Sequence, residues 1–289
     1  FIEVLANPGG VVLDVEPIAA IANEAGIPLI VDNTLATPYL CRPFEWGADI
    51  VIHSATKFIG GHGNSLGGLV VESGKFDWFA SGKFPGLTEP DPAYHGLTFA
   101  ETFGDFGYTM KTRAVALRDF GPSLSPMNAY LLLQGVETLP LRMRAHCENA
   151  TKVADYLAGH DRVTRVIFPG LMAGEPKRRA DGYLNGGYGA LVGFEFAGGK
   201  EAGLKFTEAP KMFYHVANIG NTRSLDIHPA STTHHRMDAA ALEAAESVAK
   251  RGPLAVAAAK RVMQEGQGAD VRTAHALEQQ AFGLVFASR

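Results

Sequence analysis

The chain has 289 residues, enough for roughly two domains of the common size of 100–200 residues, and its 46% hydrophobic and 19% charged content is that of a folded globular protein. A net charge of −4 provides no basic surface for nucleic acid or an anionic membrane, and no apolar run approaches the ~20 residues of a membrane span. Two cysteines, Cys41 and Cys147, make no disulfide framework and fit a reducing, cytoplasmic compartment.

Residues 1–6 alternate as a strand and end at the turn signal Asn7-Pro8-Gly9-Gly10. Asp14 precedes a helical pattern, Val15, Ile18, Ala19 and Ala22, with Pro17 in the first turn and Gly26 at the end. Two short β-branched runs follow, 28–31 ending in Asp32 and 50–52 ending in Ser54-Ala55-Thr56-Lys57, with a helix-like connection at 43–46. Strand, helix, strand, helix, strand is the βαβ rhythm of a doubly wound sheet, and the runs read as its buried parallel strands. Residues 65–72 read as a further strand. Residues 74–112 are irregular and aromatic, the pattern of a long functional loop or a subunit-contact loop. Helical spacing returns at 113–120, 125–133 and 139–157; strands are predicted at 163–168, 190–196 and 211–216, with a flexible connection at 182–189. The arrangement expected is a cofactor domain linked by the long helix to a smaller α/β cap over its crevice.

Ligands of open parallel sheets sit at the carboxyl ends of the strands, so Asp32 and Lys57 are expected in one crevice. An acid beside an amine meets the needs of pyridoxal phosphate (PLP): a lysine to form the Schiff base and a carboxylate to keep the ring nitrogen protonated. Each residue also has a plain alternative, Asp32 as a turn former and Lys57 as a solvated side chain in a Gly-rich turn. Gly60, Gly61 and Gly63 make neither a dinucleotide fingerprint nor a nucleotide loop, and His62 between glycines reads as a turn residue.

The fuller pattern, Asp32-Asn33-Thr34, Ser54-Ala55-Thr56-Lys57 and Gly60-Gly61-His62-Gly63, resembles the Cys/Met-metabolism family of fold type I PLP enzymes, over residues 1 to about 237. Ser125-Pro126-Met127-Asn128-Ala129, Leu139-Pro140-Leu141-Arg142-Met143-Arg144 and the run from Ser224 to His234 carry the same resemblance. It implies an α/β fold, with a partial large domain of mainly parallel sheet at 1–140 and a partial small domain at 141–241, followed by a helical tail at 242–289 that departs from the family. It also implies that Lys57 carries PLP, that Asp32 keeps its ring cationic, and that Ser54 and Thr56 contact its phosphate. Ser54 and Thr56 also suit simple capping. Asn7 matches the family residue near the ring hydroxyl and the substrate carboxylate, though a turn asparagine fits equally. By the same resemblance Ser224 helps hold the substrate carboxylate and Thr233 lies close to the active site; His228, His234 and His235 lack the spacing of a metal site.

The irregular segment 74–112 resembles an insertion of the O-acetylhomoserine sulfhydrylase branch. That branch implies γ-replacement on O-acetylhomoserine by sulfide or a thiol in a cytoplasmic homo-oligomer, with cystathionine synthase or γ-lyase chemistry as the alternative. Two departures bear on this. The chain lacks an initiator Met, and the family's upstream phosphate turn, ring-stacking aromatic and neighbour-subunit Tyr and Arg are missing, so the expectation is a chain lacking an N-terminal part and binding PLP weakly or not at all alone. Residues 242–289 lack the family's carboxylate-clamping Arg and instead resemble the C-terminal helices of the enoyl-CoA hydratase (crotonase) family, without that family's upstream catalytic segments. A non-catalytic fusion fragment is therefore the rival from another functional class.

Overall fold

The computed structural model describes residues 1–7 and 10–233. The chain divides into two units, Phe1–Ile227 and His228–Arg289. Among the described residues, the second unit shows a short 3-10 turn, Pro229–Ser231, with His228 Nδ1 and Ser231 Oγ 2.9 Å apart. His234, His235 and the tail at 242–289 lie outside the described residues.

The first unit is built on a four-stranded sheet. Strand β1 (Ile2–Glu3) leads to helix α1 (Val15–Glu24), then β2 (Ile30–Asp32), the short α2 (Thr37–Leu40), β3 (Ile50–Ser54) and β4 (Gly68–Glu72). The order is β1-β2-β3-β4; the first three strands run parallel and β4 returns antiparallel to β3. The βαβ rhythm read from the sequence is therefore present. Asp14 begins α1 but makes no side-chain cap; its Oδ1 instead accepts from the Tyr183 hydroxyl at 2.5 Å.

Side chains alternate across a strand, and β2 and β3 use that alternation to bury both faces. Val31 and Val51 enter one apolar cluster with Val15, Leu40 and Met143, while Ile30, Ile50 and Ile52 point into another around Trp78 and Phe99. The second cluster corrects the reading of residues 74–112 as an irregular loop. The segment folds into α3 (Trp78–Ser81), α4 (Pro85–Thr88), α5 (Phe99–Phe103) and α6 (Gly107–Lys111), and the helical spacing predicted at 113–120 follows as a π-helical stretch Thr112–Leu117 and α7 (Arg118–Phe120). These short helices roof the sheet with aromatics: Trp78 stacks on Tyr108 at 5.7 Å and meets Phe76 and Phe84 edge-on. Glu72 ties the roof to the sheet, its carboxylate accepting from the Tyr108 and Thr109 N–H groups and the Thr109 hydroxyl.

On the first face, α8 (Pro126–Glu137) starts at Ser125, whose hydroxyl accepts from Asn128 N–H, and leads directly into the long α9 (Leu139–Ala158). Leu139, Met143 and Cys147 recur every fourth residue on α9, all buried against the sheet. Beyond it come β5 (Val163–Ile167), α10 (Gly174–Tyr183), β6 (Gly193–Phe196), α11 (Gly199–Glu208), β7 (Tyr214–His215) and β8 (Leu225–Asp226). The expected flexible connection at 182–189 begins inside α10, and Tyr183 and Leu184 are buried. The strand expected over 211–216 shrinks to Tyr214–His215, paired parallel with β8.

Candidate active site

Parallel pairing brings the carboxyl ends of β2 and β3 side by side, with Asp32 level with Ile52 and Ser54 two residues further on. Thr34 joins the two ends. Its N–H donates to Asp32 Oδ1 (2.9 Å) and its hydroxyl oxygen accepts from Ser54 N–H (2.8 Å), while Asn33 N–H extends the ladder to the Ile52 carbonyl (3.0 Å). Asp32 is half-buried, and its Oδ2 takes no hydrogen bond among the described residues. Next to it His53 is 7% exposed, with Nδ1 unpartnered among the described residues. Burial pushes the His53 pKa below its ordinary value, against the Asp32 charge and the Asn33 backbone, which act to raise it.

After Ser54 the chain turns: Lys57 N–H returns to the Ser54 carbonyl (3.1 Å) and Thr56 N–H reaches the Gly67 carbonyl (3.2 Å). The Thr56 hydroxyl is taken up in both senses, donating to Gly67 O (3.2 Å) and accepting from Gly67 N–H (3.1 Å). As it stands it staples the turn to β4 and has no hydrogen left for an outside anion. The Ser54 hydroxyl has no partner among the described residues.

Lys57 is half-buried, and its Nζ donates to Asn218 Oδ1 at 2.5 Å. Asn218 belongs to a segment that wraps the lysine turn. Thr222 N–H donates to Gly61 O (2.8 Å), and Gly220, at φ +77°, presses so close that a Cβ there would stand 2.4 Å from Phe58 N and 2.7 Å from Lys57 C. Only glycine fits this position. In the sequence Asn218-Ile219-Gly220 is the lead-in to the family run at Ser224 with no role of its own; its part shows only once a stretch 161 residues downstream folds back onto the turn. Arg142, read as part of a motif with no role, also reaches this turn, donating to the Phe58 and Ile59 carbonyls.

The structure thus gathers Asp32, Ser54, Thr56 and Lys57 at two neighbouring strand ends. Asn7 and Ser224 make no hydrogen bond to these residues among the described contacts. Asn7 is exposed beyond the end of β1, its N–H on Glu3 Oε2 (3.3 Å). Ser224 is exposed, its carbonyl accepting from Tyr214 N–H (3.0 Å). Thr233 is exposed in the second unit. No group of three or more His, Cys, Asp or Glu among the described residues suits a metal, and no helix among them is long and apolar enough to cross a membrane. The chemistry available is an amine held by one neutral amide, a carboxylate with one open oxygen and an open hydroxyl, a set that fits an electron-accepting cationic ring tethered through an amine.

Known proteins share this architecture. The O-acetyl-L-homoserine sulfhydrylase of Leptospira meyeri is 48% identical over 246 residues, a match that takes in 82% of this chain and 55% of the relative. The homocysteine synthase of Schizosaccharomyces pombe is likewise 48% identical, over 236 residues and 55% of its length. The chain therefore spans about half the length of the curated relatives it matches. Among solved structures, an O-acetylhomoserine (thiol)-lyase from Campylobacter jejuni, which carries a pyridoxyl-lysine phosphate, superposes with a TM-score of 0.77 at 36% identity, covering 83% of this chain and 57% of that one. The cystathionine gamma synthase of Xanthomonas oryzae superposes with a TM-score of 0.67 at 34% identity, covering 84% of this chain and 55% of that one. The model of one family matches residues 1–250, and with these relatives it shows that the chain belongs to the Cys/Met metabolism PLP-dependent enzyme family.

Proposed function

We propose that Lys57 is the residue to which pyridoxal phosphate attaches, and that the reaction served is replacement of the acetoxy group of O-acetyl-L-homoserine by sulfide or a thiol. The observation that carries this is the pairing of strand ends that sets Asp32 at the end of β2 and Lys57 in the turn three residues past the end of β3, the two ends joined through Thr34 and Ser54. The substrate class is supported by the sulfhydrylase and homocysteine synthase names among relatives at 44–48% identity. In the overall reaction the Cγ–O bond breaks, acetate leaves with its electron pair, and sulfide supplies the pair for the new Cγ–S bond, so nothing is oxidised or reduced.

Bound pyridoxal phosphate supplies a cationic pyridine ring that accepts electrons from a substrate carbanion. The protein's share is to place and protonate. Asp32, fixed by the Thr34 N–H through Oδ1, offers Oδ2 to hold a proton on the ring nitrogen. Lys57 Nζ, released from Asn218, moves protons on and off the substrate carbons. Ser54 offers its open hydroxyl to the phosphate; Thr56 joins it only by giving up Gly67. Asn7, Ser224 and Thr233 are proposed as substrate contacts on family resemblance alone. We propose the same division as before, a cofactor domain at 1–140 and a smaller domain at 141–241, in a cytoplasmic homo-oligomer.

Borohydride reduction of the chain in excess pyridoxal phosphate, followed by peptide mapping, tests the site. The pyridoxyl group is expected on Lys57, and it should be lost in Lys57→Ala; label scattered over surface lysines with Lys57 unmodified overturns the assignment. Product analysis with the full-length protein then tests the substrate, since this chain by itself is expected to be inactive: homocysteine should form from O-acetylhomoserine plus sulfide in preference to any turnover of cystathionine.

A further inference from the structure

Arg142, in the first turn of α9, directs its cation at backbone. Nη1 donates to the Phe58 carbonyl (2.6 Å), Nη2 to the carbonyls of Ile59 (3.0 Å) and Gly135 (2.6 Å), and Nε to Thr138 Oγ1 (3.0 Å). No carboxylate pairs with it among the described residues, and burial lowers its pKa, although a guanidinium keeps its charge throughout. A partly buried cation without a counter-ion is costly unless its hydrogens are satisfied. Here carbonyl dipoles from two chain segments satisfy them. The planar fork of arginine can span those carbonyls at once, and a lysine cannot.

The segment so gripped is the one that follows Lys57. Gly61, at φ +77°, has no room for a side chain, because a Cβ would stand 2.4 Å from Arg142 Nη1. On the other side of the same stretch, Gly220 lies against the Lys57–Phe58 peptide. Phe58 is further fixed by His146, one turn along α9 from Arg142, whose ring meets it edge-on at 5.6 Å. The lysine is therefore held at both ends, at its tip by Asn218 and at its main chain by Gly220 and Arg142.

We propose that Arg142 is a positioning residue for Lys57: by fixing the Phe58 and Ile59 carbonyls it sets where the lysine amine stands, acting through the peptide and not through substrate. The proposal rests on Lys57 being the cofactor-bearing lysine, and its test separates the two claims. Three variants of the full chain serve: Arg142→Met, Arg142→Lys and Gly61→Ala, the last displacing the guanidinium while also straining the turn at its φ of +77°. Hydrogen exchange is read at the Gly60 and Gly61 amides, which donate to the Ala55 and Lys57 carbonyls at 2.8 Å, alongside exchange in the sheet. In parallel, the rate of pyridoxal phosphate capture at Lys57 is read by borohydride trapping.

Arg142→Met is expected to speed exchange at Gly60 and Gly61 while leaving the sheet protected, and to slow capture by about 10²-fold, the scale of a displacement near 1 Å. Gly61→Ala should do the same, and the double variant should be little worse than either single one. Arg142→Lys should recover only part, since charge without the fork is insufficient; full recovery overturns the positioning role. Capture by Arg142→Met within about twofold of the unmodified chain also overturns it. If the unmodified chain is labelled at other lysines and not at Lys57, the Lys57 reading falls; and where it captures no cofactor, unchanged exchange at Gly60 and Gly61 in Arg142→Met overturns the positioning role by itself. Should Arg142→Met not fold, Arg142→Lys decides by the same two readouts, wild-type values for both overturning the positioning role.

Discussion

The electrostatics around Asp32 are best read through its neighbour. Burial disfavours the charged form of His53, and the Asp32 carboxylate is the leading opposing influence. A histidine whose pKa is lower folded than unfolded favours the fold most above its unfolded value of 6.5, and that contribution is lost as pH falls through the folded value. Asp32→Asn keeps an oxygen for the Thr34 N–H and so preserves the tie between strand ends, but it removes the charge. NMR titration should then show the His53 pKa falling further, with stability dropping more steeply below pH 6.5; an unmoved His53 would mean that Asp32 is not its electrostatic partner. The cysteines obey the same physics, Cys147 with only the Gly189 and Tyr188 backbone opposing its burial. Burial, aided by Glu45, pushes the Cys41 thiol up to about 12, and Cys147 is also raised by burial, so neither is a thiolate at neutral pH.

At the level of elements, backbone contact outweighs helix propensity. Gly135 sits in α8, where glycine costs about 1 kcal/mol relative to alanine. Propensity alone makes Gly135→Ala stabilising. Yet its Cβ would meet the Ile59 and Gly60 carbonyl oxygens at 2.5 Å, and backbone oxygens held by Arg142 and by the turn have little freedom to retreat. Overpacking costs up to about 3 kcal/mol, so the net expectation is a loss of about 2 kcal/mol, seen as a lower urea midpoint; a raised midpoint would show the turn to be soft. The contrast also marks what the sequence could disclose. Asp32 and Lys57 were legible because a buried parallel strand announces itself by a short β-branched run, and its carboxyl end is where a ligand sits. Long α9 was legible by period. Arg142, Gly135 and Gly220 were not, since their meaning lies in contacts between segments tens of residues apart, which no local pattern encodes. The short helices α3 to α6 were missed because four or five residues are too few to display a helical period.

For the molecule as a whole, the consequence is that the inner strands β2 and β3 are covered on both faces while β4 stays largely exposed, and the aromatic stretch counts as a layer and not as a loop. Ile50 decides between those descriptions. It is 1% exposed, it lies in the middle of the sheet on β3, and it belongs to the cluster with Trp78, Leu87, Phe99 and Ala100. Val51, beside it, faces the opposite cluster with α9. If residues 74–117 were a loosely attached loop, Ile50→Ala would leave a cavity at a yielding surface, and the loss would be local. A packed layer cannot collapse onto the gap, because Trp78 is fixed by Phe76, Phe84 and Tyr108, and Glu72 anchors the start of α6. Ile50→Ala should therefore cost about 2–5 kcal/mol, a fall in Tm on the order of 10 °C for a unit of this size. Calorimetry should show it as a shift of the main transition, with hydrogen exchange quickening in β3 as well as in α5. A small change confined to 74–117 would return that segment to the status of a loop and leave the outer face of the sheet, and with it the strand end that bears Ser54, without its support.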